Sequence, residues 1–262
     1  MFAFDLSKWY ADCVSEQGEV AILYYAELRL SILPIHYESL LLKDRCSPSR
    51  VLYSLQRHSA PSFEGGCIEW QSPKWQARGS WNHLGSAHHE LLFESDFGSL
   101  EWNCLAPRAA STMQIGSGNP FQGWGYAEHI HLSVPPWRLP IRRLRWGRFV
   151  NATDALVWID WTGPSNRRIV YLNGSLASAK NINDNEIVLA PVKATLHLEQ
   201  KQVIRDGKLG TTALSVVPKL NHLFPDSVLN MHECKWLSTA VLRRPGRPDS
   251  TGMAIHEVVE WP

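Results

Sequence analysis

A chain of 262 residues with 26 Lys plus Arg against 25 Asp plus Glu, a formal net charge of +1, can bury a large core and fits one large or two modest domains. No basic block of the kind that tracks a phosphate backbone stands out, which argues against nucleic acid as a partner. Twelve Trp, eight Phe and seven Tyr imply broad aromatic surfaces in a core or pocket.

The chain opens on Met1-Phe2-Ala3-Phe4-Asp5, without a positive leader before an apolar run, and no later stretch approaches the ~20 apolar residues of a membrane span. The expected setting is the cytoplasm. Cys13, Cys46, Cys67, Cys104 and Cys234 are widely spaced with no CxxC, and read as reduced, buried small hydrophobes. Period-two alternation then recurs along the chain, as half-buried strands require. Ala26 to Ile32 alternates apolar and polar, and Leu100, Trp102 and Cys104 alternate with Ser99, Glu101 and Asn103. From Trp124 to Val134 the residues Trp124, Tyr126, Glu128, Ile130, Leu132 and Val134 share one parity.

Val134-Pro135-Pro136-Trp137-Arg138-Leu139-Pro140 cannot hold a continuous ladder and reads as a link. The basic stretch Arg138 to Arg148 that follows reads as a solvated face with Arg stems lying on rings; an anionic-ligand or peripheral membrane-surface patch stays open. Ala155 to Trp161 is apolar on both faces apart from Asp160, as a central strand would be. Gly163-Pro164-Ser165-Asn166, Asn173-Gly174 and Asp206-Gly207 supply turns, the last two suited to tight hairpins. Lys193 to Glu199 alternates again, and the C-terminal run splits Met253, Ile255, Glu257 and Val259 from Ala254, His256 and Val258. On the order of fifteen strand candidates are too many for one open sheet, so closure or splitting follows.

Trp9-Tyr10-Ala11-Asp12 followed by Gly18, then Gly123-Trp124-Gly125-Tyr126-Ala127-Glu128-His129 and Leu144-Arg145-Trp146-Gly147-Arg148-Phe149, resemble the "W-Y-x-D … G" and "G-Y-x-[DE]-H … W-G" segments of the carotenoid 1,2-hydratase (hydroxyneurosporene synthase) and AttH-like lipocalin-like superfamily. Val157 to Trp161 and Ala254 to Glu257 fall where its later strands would. The resemblance implies an all-β chain of two tandem lipocalin-like antiparallel β-barrel halves with few short helices, 1–134 and 135–262, around a cavity for an apolar ligand. It implies hydration, cyclisation or isomerisation without a redox cofactor. Glu128-His129-Ile130 stands where the hydratases tend to carry Asp-His-Asn, a departure that touches the activity and not the fold.

A carboxyl group among aromatics is disfavoured as the anion and can serve as a proton donor to an alkene. Glu128 is therefore the leading acid, with His129 its orienting partner, while Glu257 and Asp160 are further candidates. The competing reading makes Glu128 and Glu257 buried anchors paired with Arg142, Arg145 or Arg148 across a barrel seam. Trp9, Tyr10, Trp102, Trp124, Tyr126, Trp158 and Trp161 could line a pocket that stacks on an isoprenoid or polyketide-like ligand. His129-x-His131, His88-His89 and His232-Glu233 have spacing that permits metal without diagnosing it, and no metal site is expected. GxGxxG, Walker and GxSxG motifs are absent, so no cofactor is expected. Three functions stand: a hydratase- or cyclase-type enzyme, a carrier that shields the same hydrophobic small molecule, or a scaffold whose barrel interiors are filled by side chains. The oligomeric state does not follow from these residues.

Overall fold

The computed structural model describes residues 4–44, 47–212 and 224–262. Cys46 lies outside the described residues. The fold is all-β, with two lipocalin-like antiparallel barrel halves. The chain divides into two compact units, Met1–Pro135 and Pro136–Pro262. No helix among the described residues is long and apolar enough to cross a membrane.

In the first unit the strands are β1 (Phe4–Val14), β2 (Val20–Leu30), β3 (Leu33–Lys43), β4 (Arg50–Ser54), β5 (Ser62–Glu64), β6 (Cys67–Ser72), β7 (Ala77–His83), β8 (His88–Ser95), β9 (Gly98–Ile115) and β10 (Phe121–Leu132). They form one sheet ordered β4-β3-β2-β1-β10-β9-β7-β6-β5, with β8 also on β9. First and last strands are thus hydrogen-bonded neighbours, Trp9 opposite His129 and Ala11 opposite Ala127. Pro107 lies where β9 changes partner from β8 to β7 and where its register with β10 slips, since a residue without N–H cannot continue a ladder. One face of this sheet carries an apolar cluster of Ala11, Leu23, Leu40, Trp70, Trp81 and Ala127. Tyr10, Tyr24 and Tyr126 alternate with those residues on the other face and are also buried. Alternation here separates two buried faces, not a buried one from a wet one.

The second unit repeats the order with β11 (Arg143–Val150), β12 (Ala155–Thr162), β13 (Arg167–Leu172), β14 (Ser175–Leu176), β15 (Ser178–Ile182), β16 (Glu186–Ala190), β17 (Thr195–Lys208), β18 (His232–Arg243) and β19 (Ser250–Glu260). Its sheet runs β14-β13-β12-β11-β19-β18-β17-β16-β15, again joining first strand to last. Phe149, Leu156, Trp158, Val170, Leu196 and Ala254 form its inner cluster. Gly147 sits between Trp158 and His256 in the ladders, and a Cβ there would run into the Trp158 ring, so glycine makes the space the indole fills. A short helix, α1 (Asp226–Leu229), packs Val228, with Met231 just beyond the helix, against Leu144 and Val259.

Several local expectations meet the structure directly. Asn173 and Gly174 turn β13 into β14 with positive φ at both residues, the backbone twist a two-residue hairpin requires. Asp206-Gly207 instead lies inside β17, paired in register with Cys234 and Glu233 on β18, with Gly207 at positive φ. The arginine stretch is mostly engaged: Arg143 with Glu260 at 2.7 Å, Arg145 with Asp184 at 2.9 Å, and fully buried Arg148 donating to the Met253 carbonyl at 2.8 Å. Cys13 and Cys104 are buried thiols outside any disulfide, while Cys67 and Cys234 are only half-buried.

Candidate active site

Glu128 is 4% exposed, and its Oε2 accepts hydrogen bonds from Tyr126 at 2.5 Å and from Trp102 Nε1 at 2.6 Å. Strand geometry brings the donors to it: Tyr126 is two residues away on β10, and Trp102 lies on β9, opposite Ile130. On β1, directly across, Tyr10 donates to Asp12 at 3.0 Å and packs its ring against Tyr24 at 5.3 Å and Tyr126 at 6.0 Å. Burial first, then the neighbouring Cys104 and Glu128, push the Tyr126 phenol well up, so it stays a neutral donor. Burial likewise holds the Cys104 thiol protonated. Two donors on one oxygen hold the Glu128 carboxyl group in place.

Trp102, Tyr126, Tyr10 and Glu128 therefore come together, and Trp124 is half-buried on the same side of β10. This is the face opposite the apolar cluster, so the carboxyl group sits on the outer wall of the first unit's sheet and not in its packed interior. Trp9 and His129 are on the inner face. The His129 imidazole meets Ser7 Oγ at 2.8 Å and the Trp9 ring at 5.0 Å, and so cannot orient the Glu128 side chain directly. Adjacent strand residues point to opposite sides, which decides this. Burial, with His131 beside it, lowers the His129 pKa, favouring the neutral ring.

In the second unit Glu257 lies on the outer face and pairs with buried Lys235, whose ammonium sits 5.4 Å over Trp146 and 3.7 Å from Glu233. The partner is a lysine and not one of the three expected arginines. Asp160, on the inner face beside Trp158, holds Arg168 at 2.8 Å, and Trp161 points to the other side. Glu257 and Asp160 thus have the geometry of anchors.

Reasoning from sequence missed Glu38, and it named Asp12 and His256 within motifs without giving either a role. Glu38 is 1% exposed and accepts from Trp70 Nε1 at 2.8 Å and Ser72 Oγ at 3.0 Å, a clasp from β3 to β6 across the sheet's unbonded seam. Nothing in the local pattern marks it, because its partners lie more than thirty residues away. His256 is buried with Ser238 Oγ at 2.8 Å and stacks on Trp236 at 5.2 Å; burial first, then Lys201, push it down to about 3. Its parity with Ala254 was the available signal.

No family model matches the chain, and no curated protein sequence matches it. Solved structures do. CghA in complex with Sch210972 is similar at a TM-score of 0.62 and 10% identity, over 98% of this chain and 88% of that one. Kievitone hydratase from Nectria haematococca is similar at 0.57 and 8%, over 97% and 88%. A second CghA structure gives 0.54 and 11%, over 98% and 88%. The chain shares its whole-length lipocalin-like fold with CghA and kievitone hydratase.

Proposed function

We propose that this protein is a cofactor-independent enzyme of the lyase or isomerase type, a hydratase or cyclase, that acts by general acid catalysis on an apolar isoprenoid or polyketide-like small molecule. The observation that carries the reading is the buried Glu128 carboxyl group held through one oxygen by Tyr126 and Trp102. The fold likeness supports it, since one similar protein is named a hydratase and another was solved with a small molecule bound. Glu128 transfers its proton to an alkene or carbonyl of the substrate. The resulting cation is captured by water or by an internal carbon nucleophile, and the proton released returns to the Glu128 carboxylate. Tyr10, Trp102, Trp124 and Tyr126 supply ring faces that stabilise the cation. The setting proposed is the cytoplasm, in keeping with five widely spaced cysteines and no CxxC.

Lipophilic extracts incubated with the protein and followed by mass spectrometry test the reading. A substrate whose mass or retention time shifts, with turnover reduced about 100-fold or more in Glu128→Gln, is expected. Full turnover in Glu128→Gln rules out the assigned acid, and co-purification of an unchanged molecule favours a carrier.

A further inference from the structure

The second unit carries a small apolar cluster apart from its inner core. On the face of the sheet opposite Trp158, Val259 on β19, Leu144 on β11 and Trp161 on β12 stand in one row, each opposite the next. Val228 and Met231 cover Val259, and Trp137, Leu144 and Trp261 pack around them. Glu233 follows Val259 in the same row, and its carboxylate is taken up by Arg205 at 3.5 Å and Lys235 at 3.7 Å.

Two polar atoms on this face are unspent. The Nε1 atoms of Trp161, a residue 2% exposed, and of Trp261 are buried without a hydrogen-bond partner among the described residues. An indole nitrogen only donates, so what each lacks is an acceptor. A buried donor left unmet costs more than an ordinary hydrogen bond contributes, which makes two of them in one apolar neighbourhood a sign of an absent acceptor and not of packing alone. A cation stands beside them. Trp261 donates its backbone N–H to the Arg142 carbonyl at 2.8 Å, and the exposed Arg142 guanidinium forms no ion pair among the described residues, unlike Arg143 and Arg145 in the same stretch.

We infer that this face of the second unit binds an apolar molecule ending in a carboxylate, whose oxygens accept from the Trp161 and Trp261 indoles and pair with Arg142 while its chain lies against Leu144 and Trp137. An ionised carboxylate offers acceptors and no donor, which is what two unspent N–H groups and an unpaired guanidinium call for. The site is built from the second unit alone and does not depend on the role proposed for Glu128.

Proton–nitrogen correlation spectra of the full-length protein test it, because each indole N–H gives its own signal. Trp161→Phe and Trp261→Phe, which keep a ring and delete the N–H, assign the two. Decanoate, held below the concentration at which it forms micelles, should move both signals to saturation with a Kd of about 1 mM or tighter. Acetate, which lacks the chain, and decyltrimethylammonium, which reverses the head charge, should leave both in place. By calorimetry Trp161→Phe, Trp261→Phe and Arg142→Gln, each checked by circular dichroism, should each weaken decanoate about fivefold. Decanoate that moves neither indole signal overturns the inference, as does decyltrimethylammonium that moves both equally. Decanoate affinity unchanged in any of the three folded variants overturns it too.

Discussion

At the scale of single residues, buried charge with full hydrogen bonding contrasts with buried charge held neutral. Asp154, 3% exposed, takes a two-pronged bond from Arg244 at 2.6 and 2.8 Å and further bonds from Asn173 at 2.8 Å and Ser250 at 2.6 Å. Burial alone would raise its pKa, but these donors hold the carboxyl well below the usual carboxylate range. His256 goes the other way and stays neutral down to about 3. The unfolded imidazole titrates near 6.5, so the unfolded chain binds the extra proton and stability falls as pH drops from 6.5 toward 3. Asp154 contributes stability that is present above its unfolded value of 3.8 and is lost as pH falls below it. Denaturant midpoints measured from pH 7 to 3 should therefore decline in two stages, and His256→Gln should flatten the first. Arg244→Ala leaves a buried carboxylate without its main partner, and equilibrium unfolding at pH 7 should show a loss of about 3–5 kcal/mol.

At the scale of elements, close approach between strands decides which substitutions the sheets accept. Gly147 on β11 leaves room for the Trp158 ring on one side and His256 on the other. Gly147→Val should force the indole off its position, costing about 1–3 kcal/mol in urea unfolding and altering near-ultraviolet dichroism. The inner rows behave as ordinary core: Leu23→Ala on β2 should cost about 2–5 kcal/mol, because the Ala11, Leu40 and Ala127 neighbours cannot collapse into the space. The alternation that identifies strands from sequence works for β19 and for β2 as far as Leu30, where the hairpin turn leaves Ile32 exposed, whereas β12 is legible as a strand apolar on both faces. It fails to say which side is the packed interior wherever both sides are buried, as on β10, where Ala127 faces the cluster and Tyr126 with Glu128 faces away.

At the scale of the whole molecule, each sheet is closed along its middle by pairing its first strand with its last, β1 with β10 and β11 with β19. Contacts so distant in sequence must form before their enthalpy can offset the entropy of closing the loop between them. Stopped-flow refolding from urea should be slow, in the millisecond-to-second range or longer, and not the microsecond range of helical bundles. The repeated strand order also explains why one pattern of alternation and turns recurs through both halves.

The sequence by itself determined the all-β class, the strand periodicity, the Asn173-Gly174 hairpin and the placing of Trp124 and Tyr126 on the side of Glu128, because these depend on contacts one to four residues long and on parity. Tertiary structure alone decided that Glu128 stands on the outer wall of its sheet, that His129 faces away from it, and that Glu257 and Asp160 are ion-paired. Those outcomes depend on which of two buried faces a curved sheet closes around, a choice made by strands far apart in the chain, and so by distances that no local pattern encodes.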